Sequence, residues 1–268
     1  ELAVCAPPGP DGKVHPVVLA ACALCEVQEV YAVGGAQAIA ALAYGTESIP
    51  AVDVIVGPGN AYVQEAKRQV AGVVGIDGIA GPSELVVVAT AGADPELLAL
   101  DLLAQAEHGP DSPVCAISPD AALLDAIEAR VTALAAERPT VCDAPLALVA
   151  AADAATAVRL ADEIAPEHLE LAGEEAEALA GEVRAAGCVF IGRDGATAFG
   201  DYVAGSNHVL PTGGAARFAS ALSPATFRRR MARVTFAPGA AARLAPAGAA
   251  LAKAEGFLVH GESMERRA

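Results

Sequence analysis

Between residues 16 and 191 the chain alternates two apolar patterns. Short segments that are apolar at every position, such as Leu85-Val-Val-Val-Ala89 and Val114-Cys-Ala-Ile-Ser118, are separated by longer stretches of mixed polarity. A strand covered on both faces has no polar side to alternate with, so continuous short apolar runs mark a buried parallel sheet. The pattern predicts strands near 29–33, 53–56, 73–76, 85–89, 114–118, 146–150, 169–171 and 188–191. Helices are predicted near 16–25, 36–44, 62–71, 95–106, 120–136, 153–164 and 174–185. Regular alternation of this kind gives right-handed crossovers and an open sheet with helices on both faces. The rhythm breaks at Asp77-Gly-Ile-Ala-Gly-Pro-Ser83, and after Ser223 no strand follows. The expected fold is α/β: two incomplete Rossmann-like open parallel-sheet domains, 1–82 and 83–222, with a helical C-terminal tail, 223–268.

Within this frame the polar residues at element ends carry the candidate chemistry. Gln105 and His108 lie three residues apart at the end of a predicted helix that Gly109-Pro110 terminates, so both project from one open face. That spacing suits half a metal site, and equally a polar helix edge. Further imidazoles lie in Pro166-Glu-His168, in Gly200-Asp-Tyr-Val-Ala-Gly-Ser-Asn-His208 and in Glu255-Gly-Phe-Leu-Val-His260, each at a loop or element end. In open α/β sheets ligands bind at the carboxyl ends of strands, where Val54-Ile-Val-Gly-Pro-Gly-Asn-Ala61 runs from a strand through a Gly-x-Gly turn into a helix. It lacks the third glycine of the dinucleotide fingerprint, and so does Gly34-Gly-Ala-Gln37. A tight turn and a cofactor contact both fit these loops.

Composition narrows the class. Hydrophobic residues make up 54% of 268, much of it alanine, and no apolar run is long enough to span a bilayer. A net charge of −16 disfavours phosphate backbones and anionic lipid, so neither nucleic acid nor membrane is expected as a partner. The one basic run, Arg228-Arg-Arg-Met-Ala-Arg233, reads as the solvated face of a helix-like stretch. Cysteines 5, 22, 25, 115, 142 and 188 fall mostly within predicted strands and helices, which suggests core thiols in a reducing, cytoplasmic compartment. Cys22-Ala-Leu-Cys25 has no second pair to make a metal knot. The chain opens on Glu1 and a strand-like Leu2-Ala-Val-Cys5, as if a domain were entered partway.

The blocks Gly34-Gly-Ala-Gln-Ala-Ile-Ala-Ala-Leu-Ala43, Val56-Gly-Pro-Gly-Asn60 with Glu65-Ala-Lys-Arg-Gln-Val70, Ala80-Gly-Pro-Ser-Glu84, Gln105-Ala-Glu-His-Gly-Pro-Asp-Ser112, Pro166-Glu-His-Leu169, and Gly200-Asp-Tyr202 with Asn207-His-Val-Leu-Pro-Thr212 extend over almost the whole chain. Together they closely resemble histidinol dehydrogenase. The resemblance implies a zinc- and NAD-dependent oxidation of histidinol to histidine through an enzyme-held aldehyde, at the end of histidine biosynthesis. It also implies an N-terminal segment that helps complete the second α/β domain, and a homodimer whose exchanged tails complete each other's sites.

Carried over residue by residue, the resemblance makes Gln105, His108, Asp201 and His260 zinc ligands, all N or O donors. Glu167 and His168 take the place of the acid/base pair. Ser83, His208 and Glu255 are substrate contacts, joined by His168 and the zinc residues, while Gln37 and Asn60 contact the cofactor. Two other readings remain: a related zinc/NAD dehydrogenase of another small alcohol, such as a hydroxy-sulfonate, and a truncated, non-catalytic metal-binding chain. The Glu255 carboxylate suits a cationic substrate better than a sulfonate, and Glu167-His168 is not needed merely to bind metal.

Overall fold

The computed structural model describes residues 1–268 and divides into two units, Glu1–Phe227 and Arg228–Ala268. In the first unit, β1 (Ala3–Cys5) and β2 (Glu29–Tyr31) pair in parallel across helix α1 (Pro16–Leu24). Helix α2 (Gly35–Tyr44) then leads to a second parallel pair, β3 (Val54–Ile55) and β4 (Gly75–Ile76), joined by α3 (Ala61–Val70). Ile39, Leu42 and Ala43 fall on one face of α2 at helical spacing and meet Ile55, Val63, Val70 and Val74 in one core. β3 and β4 are shorter than the four-residue strands expected, because Gly57 and Gly72 flank them with positive φ.

The larger sheet is built as the apolar runs predict. Its strands are β5 (Leu85–Ala89), β6 (Val114–Ser118), β7 (Leu146–Ala150), β8 (His168–Ala172) and β9 (Cys188–Ile191), in the order β7-β6-β5-β8-β9, all parallel. This is the open, doubly wound α/β arrangement. Leu85, Val87 and Ala89 point towards α4 (Pro95–Ala106) and α5 (Ala121–Ala135), packing on Leu98, Leu102, Leu124 and Ile127. Val86, Val88, Leu169 and Leu171 point the other way, onto Ala157, Val158 and Ala161 of α6 (Ala154–Ile164). Strand alternation therefore turns His168, Glu170 and Ala172 towards the α4 side. No helix is long and apolar enough to cross a membrane.

Three expectations need correction. The helix foreseen over 174–185 is a short α7 (Glu174–Ala178) followed by a 3-10 turn (Ala180–Glu182), and the Asp162 carboxylate then accepts the Arg184 and Ala185 amides and holds the chain in a loop. The basic run 228–233 is exposed and not helical, since its guanidiniums have no acidic partner one turn away. Of the six cysteines only Cys22 is fully buried, and Cys25 is exposed at the end of α1.

After β9 comes α8 (Thr197–Tyr202). The C-terminal unit is a helical pair, α9 (Ala240–Ala254) and α10 (Leu258–Glu265), crossing where Gly248 leaves room for the Met264 sulfur. Lys253 and Glu265 form an exposed ion pair across them at 3.0 Å.

Candidate active site

Four elements converge at the amino ends of β5 and β8. Ser83 and Glu84 immediately precede β5. Helix α6 stops at Ala165, which takes the left-handed conformation (φ +53°), and Pro166 cannot continue it, so the chain turns sharply into Glu167 and His168 at the head of β8. Gly187 lets the neighbouring loop approach: a Cβ there would lie 2.6 Å from the Glu167 carbonyl oxygen. Helix α4 runs back over the sheet and delivers Gln105 and His108 to the same edge.

A hydrogen-bond relay ties these groups together. The Gln105 carboxamide Nε2 donates to Ser83 Oγ at 2.7 Å, and the Ser83 hydroxyl donates to Glu167 Oε2 at 2.5 Å. The Glu84 amide also donates to Glu167 Oε2, at 3.2 Å. Burial pushes the Glu167 carboxyl up to about 7, against the pull of Ser83 and Glu84. Burial holds the His168 imidazole below its ordinary value, outweighing the nearby Asp201. His168 Nδ1 lies 3.2 Å from the Glu84 carbonyl oxygen, an atom that can only accept, so Nδ1 carries the proton. The lone pair is then on Nε2, which points towards Asp201 Oδ1 at 3.9 Å. A neutral imidazole with a fixed tautomer beside a carboxyl poised near neutrality is an arrangement for moving protons.

Asp201 comes from α8, which lies close to β9 because Gly200 presents no side chain to the Phe190 ring. Gln105, His108 and Asp201 line one cavity of about 260 Å³, with Thr197 and Tyr202. No three His, Cys, Asp or Glu side chains converge on a point; the shared cavity gathers one imidazole, one carboxylate and one carboxamide. With Gln105 Nε2 committed to Ser83, its Oε1 is the atom left for a cation. An N/O donor set of this kind fits zinc. A larger cavity, about 740 Å³, runs from Ser83, His108, Glu167, His168 and Asp201 to the Gly57-Pro-Gly59 turn and Asp77. It thus lies between the carboxyl ends of β3 and β4 and the amino ends of β5 and β8.

The family model described as histidinol dehydrogenase matches residues 1–268. The chain belongs to the histidinol dehydrogenase family. It is 47% identical over 266 residues to the histidinol dehydrogenase of Pseudomonas syringae pv. syringae, covering 97% of this chain and 59% of that one. With the Parasynechococcus marenigrum enzyme it shares 47% identity over 273 residues, covering 100% and 62%. The crystal structure of histidinol dehydrogenase from Elizabethkingia anophelis superposes with a TM-score of 0.93 at 34% identity, covering 99% of this chain and 63% of that chain. The chain spans about 60% of the length of the curated relatives it matches.

Among the residues that the histidinol dehydrogenase resemblance singles out, Ser83, Gln105, His108, Glu167, His168 and Asp201 gather at one edge of the sheet, as just described. His208 is exposed and lines the larger cavity. Asn60 caps α3, its Oδ1 accepting from the Tyr62 and Val63 amides, and Gln37 is exposed on α2; neither lines that cavity. Glu255 and His260 are exposed in the C-terminal unit, where His260 packs on Phe257.

Sequence reasoning missed two contributors. Glu84, at the end of Ala80-Gly-Pro-Ser-Glu84, carries no signal of its role in the sequence, yet its carbonyl orients His168 and its carboxylate accepts from the Glu167 and Gly213 amides. Lys67 reads as an ordinary helix cation. It is 2% exposed and bonds the Gly57 carbonyl and Asp77, which in turn accepts from the Gly57 amide at 2.7 Å, knotting the Gly57 turn to the end of β4.

Proposed function

We propose that this chain carries the histidinol dehydrogenase reaction, the zinc-dependent four-electron oxidation of L-histidinol to L-histidine via histidinaldehyde with two NAD, as a cytoplasmic step of histidine biosynthesis. The observation that carries this reading is His168, its Nδ1 committed to the Glu84 carbonyl, beside a Glu167 carboxyl held near neutrality. When bound, zinc would anchor the substrate's imidazole and amine, and NAD would accept the hydride in each half-reaction.

The chain's own residues do the rest. His168 Nε2 takes the hydroxyl proton as the alcohol is oxidised. Ionised Glu167 then takes a proton from the water that adds to the aldehyde, giving a gem-diolate anion whose loss of the second hydride leaves the carboxylic acid. Gln105, His108 and Asp201 would hold the metal, with His260 as the fourth ligand. Ser83, His208 and Glu255 position the substrate, and Gln37 and Asn60 face the cofactor. Residues 1–82 form the NAD side, 83–222 the zinc and acid/base domain, and 223–268 a tail exchanged in a homodimer, so that Glu255 and His260 act in trans.

NADH formation from histidinol, with and without added zinc, tests the reaction, and a panel including a hydroxy-sulfonate tests the substrate. Chelation is expected to abolish turnover while circular dichroism stays unchanged, because the ligands sit on a preformed sheet edge; unfolding on chelation would make the ion structural. Mixing inactive His260→Ala and His108→Ala proteins is expected to recover activity through one intact site per mixed dimer. No recovery despite proven subunit exchange would place His260 in its own subunit's site.

A further inference from the structure

One wall of the 740 Å³ cavity is a segment with almost no regular structure of its own. Residues 207–222 contain a single 3-10 turn, Ala215–Arg217, and the Leu222 amide donates to the Val209 carbonyl at 2.9 Å, closing them into a loop. His208, Val209, Leu210, Pro211 and Thr212 line the cavity from this loop. Gly213 and Gly214 take positive φ, +60° and +77°, so the chain reverses straight after Thr212 and turns the Gly213 amide back towards the sheet.

Only two hydrogen bonds join this loop to the rest of the chain, and both end on the turn before β5. The Gly81 amide donates to Thr212 Oγ1 at 2.5 Å, and the Gly213 amide donates to Glu84 Oε1 at 2.9 Å. The same Glu84 oxygen accepts the Glu167 amide at 3.3 Å. One carboxylate oxygen thus grips both the head of β8, where the acid/base pair stands, and the loop that carries His208. Glu84 lines neither cavity, so it acts there through the two backbones it holds. Leu210 and Pro211 are buried beside Gly187, where a Cβ would come within 3.2 Å of each. Apolar contact of that kind has no direction and lets a loop slide, whereas hydrogen bonds fix where along the edge it stands.

We propose that Glu84 and Thr212 are positioning residues that lock the 207–222 loop to the head of β8 and so set His208 against the Glu167–His168 pair. That His208 meets the substrate rests on the function proposed above; the lock itself does not.

The test compares amide hydrogen exchange over 207–222, and steady-state kinetics with histidinol, in the 268-residue parent, Glu84→Ala, Glu84→Gln and Thr212→Val. Glu84→Ala removes the acceptor, and exchange over 207–222 is expected to rise at least tenfold while β6 exchanges as in the parent. Thr212→Val, which leaves the Glu167 amide bonded, is expected to loosen the same residues. Both variants are expected to raise KM for histidinol at least fivefold. Glu84→Gln keeps an oxygen that can accept both amides, and is expected to restore parental exchange and most of the kcat/KM lost in Glu84→Ala. Parental exchange in Glu84→Ala overturns the proposal, and so does a Glu84→Gln as loose as Glu84→Ala, which would make charge and not the bond responsible. Should Glu84→Ala not fold, Thr212→Val gives the same reading against Glu84→Gln. An active parent whose KM is unchanged by a loosened loop overturns the bearing on substrate. If the parent does not oxidise histidinol while the loop still loosens, the functional reading falls and the lock stands.

Discussion

Ser83 gives its single hydroxyl proton to Glu167. The direction is forced, because Gln105 already donates to the same oxygen. Ser83 is the strongest influence opposing burial at that carboxyl, so Ser83→Ala is expected to raise the Glu167 pKa from about 7 by roughly one unit. Less carboxylate is then present at neutral pH. The alkaline rise of aldehyde oxidation should move up by the same amount, with the rate at pH 7 falling roughly five- to tenfold. A pH–rate profile in Ser83→Ala that superposes on the parent's would remove Glu167 as the titrating group.

Glu167→Gln and His168→Asn should fail in different half-reactions. Glutamine cannot accept a proton from water, so aldehyde oxidation drops by about 10² to 10⁴, while alcohol oxidation suffers less. Asparagine cannot take the hydroxyl proton, so its loss is greatest with the alcohol. Supplying histidinol and histidinaldehyde separately makes the comparison, and equal rates of aldehyde oxidation in both variants and the parent would refute the division of labour.

Lys67→Met should unfold the Gly57 turn more readily than any exposed charge change. It strands Asp77, which is 9% exposed, without its cation, a loss on the order of 3–5 kcal/mol by chemical denaturation. Lys67→Met with Asp77→Leu should recover most of it. A single variant as stable as the parent would show the pair to be dispensable.

Stability should fall as the solution is made alkaline. Glu170 keeps its proton to about 9 in the folded chain but loses it near its ordinary value when unfolded, so from about pH 4.5 to 9 the folded state binds more protons. A group raised in this way stabilises fully only below its unfolded pKa, and the contribution is lost as pH climbs through the folded one. Asp101, raised to about 6, acts in the same sense. Denaturation at pH 5 and pH 9 should differ by a few kcal/mol, with a smaller difference in Glu170→Gln; an unchanged difference would mean that Glu170 is ionised in the fold.

How far the sequence spoke depended on the kind of signal. Strands β5 and β6 were legible because burial on both faces leaves a nearly unbroken apolar run, and Gln105 with His108 because a helix end fixes their spacing. The orientation of His168 was not legible, since it depends on the backbone carbonyl of Glu84, and every residue has one. The Gly57-x-Gly59 turn was visible, but not the Lys67 knot beneath it. Asn60 was singled out for a ligand, and its side chain also answers a local need by capping α3.

The gathering of Ser83, Glu167 and His168 at the amino ends of β5 and β8 inverts the usual division of labour in an open α/β sheet. Loops at the far edge, following β6 at Pro119 and β7 at 151–153, are remote from the chemistry along every strand. Tolerance should therefore be polarised: a library of short insertions would accumulate survivors at that far edge and almost none at 81–84 or 165–167. For this sheet, the customary place to look for evolutionary novelty is the place where change costs least and alters least.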